Sequence, residues 1–265
     1  MRASVDIVKV WRQFDHHPME TLTKAWHISQ GAPGRQRTVQ MMEEHRRQFG
    51  TSGNCFDLAL WLMHEFGKNG IESYPIGHHL HTPRAHVAVI AVGERGQTYF
   101  CDLGDQWIEP ILIDASCEDF TQDELDGFVA GGRIKAELPA GRNEAKFTYI
   151  RPNGKISEQT FSLEPIEMNE FIAAANTSQS LLRYPLVEMR FTEHNEVRHW
   201  EFDRWNSFVS CSEGLIRESK LEMEETGEWA RRIHQRTGMH TDVIIRALNT
   251  YVAVMPGAAV ENGTD

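Results

Sequence analysis

The hydrophobic pattern of this chain changes period abruptly at Gly67 to Gly70, and that break constrains the fold more than any other feature. Before it, Thr51-Ser52-Gly53-Asn54 supplies loop and cap chemistry. Cys55 to Phe66 then carries apolar side chains (Phe56, Leu58, Ala59, Leu60, Leu62, Met63, Phe66) densely enough for a buried helix. After it the period is two, and residues 71–76, 86–92, 98–103 and 107–113 read as short strands. Further strands are expected at 134–137, 145–151 and 157–163, the last two joined by a Pro152-Asn153-Gly154 turn. The flanking regions are less regular. Residues 1–50 read as helical, with Val5, Ile7, Val8 and Trp11 on one side, interrupted by the turn-rich stretch at 30–34. A helix over 168–176, a strand pair at 186–193 and 197–202 around His194-Asn195, and a helical stretch over about 218–253 complete the pattern. The last residues, GAAVENGTD, read as a frayed tail.

No repeat or low-complexity linker divides these regions, so they are expected to pack closely. The fold class is α+β in three parts: a helical subdomain over 1–72 carrying a candidate nucleophile, an antiparallel β-barrel over 73–185, and an α/β lid-like subdomain over 186–265. Composition narrows the function. The chain has 265 residues with 27 basic and 38 acidic side chains, and a net charge of −11 is a poor match to a nucleic-acid backbone. Neither a signal peptide nor an apolar run of membrane-spanning length is evident, so no membrane partner is expected and the expected location is cytoplasmic. Four cysteines (Cys55, Cys101, Cys117, Cys211) show no paired spacing, which indicates neither a disulfide framework nor a zinc knuckle.

Cys55 stands apart from the other three. It lies where a Gly-containing loop meets the start of a helix, and the unpaired N–H groups and positive dipole end found there favour a thiolate. Most cysteines are simply packed core residues, so position alone does not make it a nucleophile. His86 opens one strand and Asp102 closes the next. With a three-residue Glu94-Arg95-Gly96 loop between them, Asp102 faces Ala88 and His86 is its diagonal neighbour on the same sheet face, roughly 7–8 Å away. A carboxylate on one imidazole nitrogen leaves the other to take a thiol proton. Cys101 alternates to the opposite face and is expected to be packed. The histidine-rich stretch His78, His79, His81, His86 lacks ligand partners at metal spacing, and no metal is expected. Phe56, Trp107 and Phe128 are aromatic groups that either contact an acceptor or fill the core.

Taken together, Gly53-Asn54-Cys55-Phe56-Asp57, the strand beginning at His86, and Tyr99-Phe100-Cys101-Asp102-Leu103-Gly104 resemble the arylamine N-acetyltransferase pattern. In that family a Gly-Gly-x-Cys-Phe-Glu helix start, a strand-borne His and an Asp-Val-Gly supply a Cys-His-Asp triad. Phe161-Ser162-Leu163-Glu164-Pro165, followed by Asn169, Phe171, Asn176 and Ser178 to Leu186, is similar to a further segment of it. The chain departs from the pattern where Thr51-Ser52 stands for the family's Arg-Gly and Asp105-Gln106 for its Phe-Gly, in lacking the family's N-terminal Pro-Phe-Glu-Asn, and in the short region before Cys55. The resemblance implies ping-pong transfer of an acetyl group from acetyl-CoA, through an acyl-cysteine at Cys55, to an arylamine, hydrazine or N-hydroxyarylamine. The Cys55 backbone N–H would be a first oxyanion donor. Arg84, Arg133 and Lys135, together with Arg142, are candidate partners for the cofactor phosphates. The same chain order, Cys then His then Asp, occurs in transglutaminase and papain-like proteins. The triad is therefore equally compatible with a cysteine amidase, thioesterase or amide synthase, and the fold with a non-catalytic binding protein.

Overall fold

A computed structural model describes residues 3–32 and 34–254; the GAAVENGTD tail and Pro33 of the 30–34 turn lie outside the described residues. The helices are α1 (Val5–Trp11), α2 (Leu22–Ser29), α3 (Val39–Phe49), α4 (Cys55–Lys68), α5 (Met168–Ser180), α6 (Thr226–Thr237) and α7 (Thr241–Val254). The strands are β1 (Met19–Glu20), β2 (Ser73–His78), β3 (His86–Val92), β4 (Thr98–Cys101), β5 (Ile111–Leu112), β6 (Arg133–Glu137), β7 (Glu144–Ile150), β8 (Ile156–Ser162), β9 (Leu186–Glu193), β10 (Glu196–Asp203), β11 (Asn206–Cys211) and β12 (Gly214–Arg217).

The middle of the chain forms one antiparallel sheet of seven strands in the order β5-β4-β3-β2-β8-β7-β6. It is a curled half-barrel whose end strands, β5 and β6, are not neighbours, so the expected barrel is open. Helix α4 packs on β2 and β3, and its apolar side (Phe56, Leu58, Leu62, Phe66) joins Val87 to Ala91 and Phe100 in one core. This is the packing that the dense apolar run before Gly67 requires. Of the residues placed on one side of α1, Ile7 and Trp11 are buried but Val5 is exposed.

The second sheet has the order β1-β9-β10-β11-β12 and carries α2, α6 and α7 on one face. Here the structure departs from the sequence reading. Residues 206–217, for which the sequence indicates no element, form strands β11 and β12, and the helical stretch expected from about 218 begins at Thr226. The β10–β11 connection is the two-residue turn Arg204-Trp205, with φ values of 49° and 62°. Arg and Trp are not residues that favour left-handed backbone, so no turn is legible there. The expected strand at 107–113 shrinks to Ile111–Leu112, because Trp107 turns into the core. Residues 19–29 also cross over: β1 pairs with β9, and α2 packs on α7, so the first 72 residues are shared between the two cores.

Candidate active site

Cys55 is the first residue of α4, and the loop before it is built by buried charge. Asn54 caps the helix, accepting from the N–H groups of Phe56 (3.0 Å) and Asp57 (3.3 Å), while the Asp57 carboxylate accepts from the Asn54 N–H (3.2 Å). Asp57 is itself enclosed by Gln36 (2.7 Å), Gln179 (2.9 Å) and Arg37 (3.1 Å), and Arg37 also donates to the Ser52 carbonyl (2.8 Å). From the other side the fully buried Glu20 accepts from the N–H groups of Ser52 (3.2 Å) and Gly53 (2.7 Å) and from Thr23. Gly53 has φ 111°, and any Cβ there would run into the Asp57 carboxylate and the Arg37 guanidinium. Glycine is therefore required at this position on both counts.

His86 and Asp102 meet as the register predicts. Val89 pairs with Cys101, and Gly93 and Gln97 close a three-residue loop in which Gly96 adopts φ 84°. The His86 Nε2 lies 2.8 Å from Asp102 Oδ2. Asp102 is fully buried, and its other carboxylate oxygen accepts the Asp105 N–H at 2.9 Å. With Nε2 occupied by the carboxylate, Nδ1 is the ring nitrogen left for the thiol, and Cys55 is near enough to favour the charged imidazole. Burial disfavours charge on His86, but Asp102 and Asp105 together outweigh it and hold the imidazole well above its ordinary range, in the protonated form. Gly104 is the close-approach point: a Cβ there would lie 2.6 Å from the His86 ring, 2.7 Å from the Cys55 Cβ and 3.1 Å from Asp102.

Cys55 and His86 open onto a cleft of about 340 Å³, with Asp102 buried behind the imidazole. Its cationic groups are Lys24, Arg183 and Arg204, none of which the sequence signalled. Lys24 donates to the Ser178 carbonyl (3.2 Å), Arg183 to the Pro83 carbonyl (3.3 Å), and Arg204 stacks over Tyr184 at 4.5 Å. The cations singled out from sequence lie elsewhere. Arg133 pairs with Glu124 (2.7 Å), Lys135 with Glu137 (3.1 Å) and Arg142 with Glu144 (3.7 Å), at the far end of the half-barrel from β3 and β4. Arg84 is exposed, between Pro83 and Ala85 of the cleft wall, but does not line the cleft itself.

Cys101 is packed, and burial pushes its thiol up. Phe56 and Trp107 are completely buried and so belong to the core rather than to an acceptor site, whereas Phe128 borders a second cavity. The histidine-rich stretch disperses: His78 stacks near His86 (5.7 Å between rings), and His81 reaches Glu170 at 3.2 Å. Among the described residues, His86, Asp102 and Asp105 bring their ligand-type atoms within 4.8 Å of one another, which makes Asp105 a second carboxylate at the imidazole. Its Oδ1 lies 3.8 Å from His86 Nε2.

No protein-family model matches the chain, and no curated protein matches it in sequence. Solved structures do. The arylamine N-acetyltransferase of Mycobacterium marinum, solved in complex with CoA, superposes with a TM-score of 0.68 at 11% identity over 92% of this chain and 90% of that one. The enzymes of Nocardia farcinica (TM-score 0.68, 14% identity, 94% and 86% covered) and Mycobacterium tuberculosis (0.68, 12%, 94% and 94%) do likewise. The chain has the arylamine N-acetyltransferase fold. Within that fold the half-barrel supplies His86 and Asp102, α4 supplies Cys55, and the second sheet closes the cleft from the opposite side with Leu186, Glu188, Asp203 and Arg204. Among the described residues no helix is long and apolar enough to cross a membrane.

Proposed function

We propose that the protein is a cysteine acyltransferase that moves an acetyl group from acetyl-CoA to an amine through an acyl-cysteine at Cys55. The observation that carries this reading is the juxtaposition of Cys55, His86 and Asp102 at Gly104, in a fold whose solved members are acetyltransferases. In the first half-reaction the Cys55 thiolate attacks the thioester carbonyl, and the carbon–sulfur bond to CoA breaks. The departing CoA thiolate takes the proton held on His86. In the second, the amine attacks the acyl-cysteine carbonyl, His86 accepts the amine proton, and the Cys55 thiolate leaves. Asp102 fixes the ring so that Nδ1 faces sulfur throughout and stabilises the imidazolium. As first residue of α4, Cys55 also offers a backbone N–H with no partner inside the helix for the tetrahedral oxyanion.

The soluble donor is polyanionic, and the cleft meets it with Lys24, Arg183 and Arg204 despite the net charge of −11. The M. marinum complex makes CoA the first donor to test. Mixing the protein with acetyl-CoA in the absence of any amine should release one equivalent of free CoA thiol per chain in a burst, followed by slow hydrolysis. The absence of a burst with acetyl-, propionyl- and longer acyl-CoA would end the acyltransferase reading.

A further inference from the structure

The second sheet turns two unlike faces to its surroundings. Val187, Met189, Trp200, Phe202 and Val209 pack against α6 and α7, so alternation sends Glu188, His199, Glu201 and Phe208 to the other face, toward the half-barrel. Glu188 and Glu201 sit directly opposite each other on β9 and β10. Like charges so placed destabilise a sheet unless something neutralises them. Together with Asp105, Phe128 and Arg151 they line a chamber of about 370 Å³. Asp105 and Glu188 line both this chamber and the cleft holding Cys55, so the two spaces meet beside the triad.

Two of the chamber's polar groups keep bonding capacity that the described residues do not use. The His199 ring is only 7% exposed, and among the described residues its one side-chain bond is from Nε2 to Glu188, at 3.1 Å. Its Nδ1 takes no side-chain partner among the described residues. The Glu201 carboxylate takes no hydrogen bond and no ion pair among the described residues. Lys155 is exposed, and Arg151 stacks over Phe128 at 5.7 Å; neither forms an ion pair with a chamber carboxylate among the described residues. Opposed carboxylates around an enclosed space, with the half-buried Arg151 held on Phe128 and Lys155 exposed at the rim, fit a group that donates to them.

We propose that this chamber binds the acyl acceptor, and that the acceptor is an alkyl amine carrying a second, protonated amino group. The ammonium lies between Glu188 and Glu201, and the free amine passes Asp105 to reach the acyl-cysteine. This rests on the acyl-transfer reading for the identity of the reaction, but the binding half stands by itself. Burial, with repulsion from neighbouring carboxylates and against the attraction of Arg151, raises both Glu188 and Glu201 to about 8, so that an ammonium seated between them would draw them into the ionised form. An apolar arylamine would fill the space and leave all of these groups unpaired.

The test compares 1,5-diaminopentane with pentylamine, 4-methylaniline and 4-aminobenzoate as acceptors with acetyl-CoA. The diamine should exceed pentylamine in kcat/KM by about tenfold or more, the scale of one charge-assisted contact. Glu188→Gln and Glu201→Gln, each checked for folding by circular dichroism, should bring that ratio to about one, chiefly through KM. Calorimetry without acyl donor should detect diamine binding that either variant abolishes. A preference for 4-methylaniline overturns the inference, as does one for 4-aminobenzoate, which would use Arg151 and Lys155 instead. So does an unchanged ratio in both variants or no binding of the diamine. Absence of the CoA burst with diamine binding intact refutes the acyl-transfer reading and leaves the chamber's ligand class standing.

Discussion

Two pairs of carboxylates are withdrawn from water on either side of the cleft, and they are treated in opposite ways. Glu20 and Asp57, behind Cys55, are fully enclosed, and each is saturated with donors from its own chain: backbone N–H groups, Thr23, the two glutamines and Arg37. Glu188 and Glu201, across the cleft, face each other with a single histidine bonded to Glu188 and an open chamber in front. A buried carboxylate that its own chain satisfies shapes backbone; here it sets the loop that aims Cys55. One left short of donors resists ionisation, and an incoming cation restores its charge.

The difference can be broken or sharpened by substitution, and the largest effect should come from the groups at the meeting point. His86→Ala and Asp102→Asn should each lower kcat by about 10³-fold or more with little change in melting temperature, because groups of a triad act as a unit. Near-normal turnover in Asp102→Asn would remove its orienting role. Next is the saturated pair. Glu20→Ala should cost roughly 2–3 kcal/mol, since it strands the Ser52 and Gly53 N–H groups, and should slow alkylation of Cys55 by iodoacetamide. Unaltered stability would mean that the loop does not depend on Glu20.

The unsaturated pair should respond with the opposite sign. A carboxylate raised from its ordinary value to about 8 in the folded protein contributes stability that is complete below the unfolded value and is lost as pH rises through about 8. Glu201→Gln should therefore melt close to the parent at pH 5 and roughly 3 °C or more above it at pH 8, as thermal scans at the two pH values would report. A lower melting temperature at pH 8 would mean that Glu201 is structurally satisfied after all. The smallest effects concern the cations. Lys24→Ala and Arg183→Ala should raise the acyl-CoA KM about tenfold. Arg133→Ala and Lys135→Ala, which break only exposed ion pairs, should change it less than about twofold.

What sequence revealed and what it hid follow the same division. The His86–Asp102 contact was legible because a single loop ending in Gly96 sets the register of two adjacent strands, and local chemistry determined the rest. Cys55 was legible because Asn54 and the apolar run mark a helix start. Glu20 and Arg37 were not: nothing in a short window distinguishes a buried charge from a solvated one, and the Ser52 and Gly53 groups they hold lie 15 to 33 positions away. The Asn54-x-x-Asp57 capping box was the one available hint. The chamber was still less visible, since it draws on residues 105, 128, 151, 188 and 201, and half of its sheet follows a turn at Arg204-Trp205 that carries no turn residue. Its only signal was Asp105, a carboxylate where the resemblance expects an aromatic side chain.

The most direct test of the central claim is to trap the covalent intermediate. Brief exposure to acetyl-CoA, acid quenching, and intact-mass analysis with peptide mapping should show one acetyl group per chain, located on Cys55. It should be absent from Cys55→Ser under the same quench and discharged by 1,5-diaminopentane. Acetylation spread over lysines, or shared among Cys55, Cys101, Cys117 and Cys211, would contradict it.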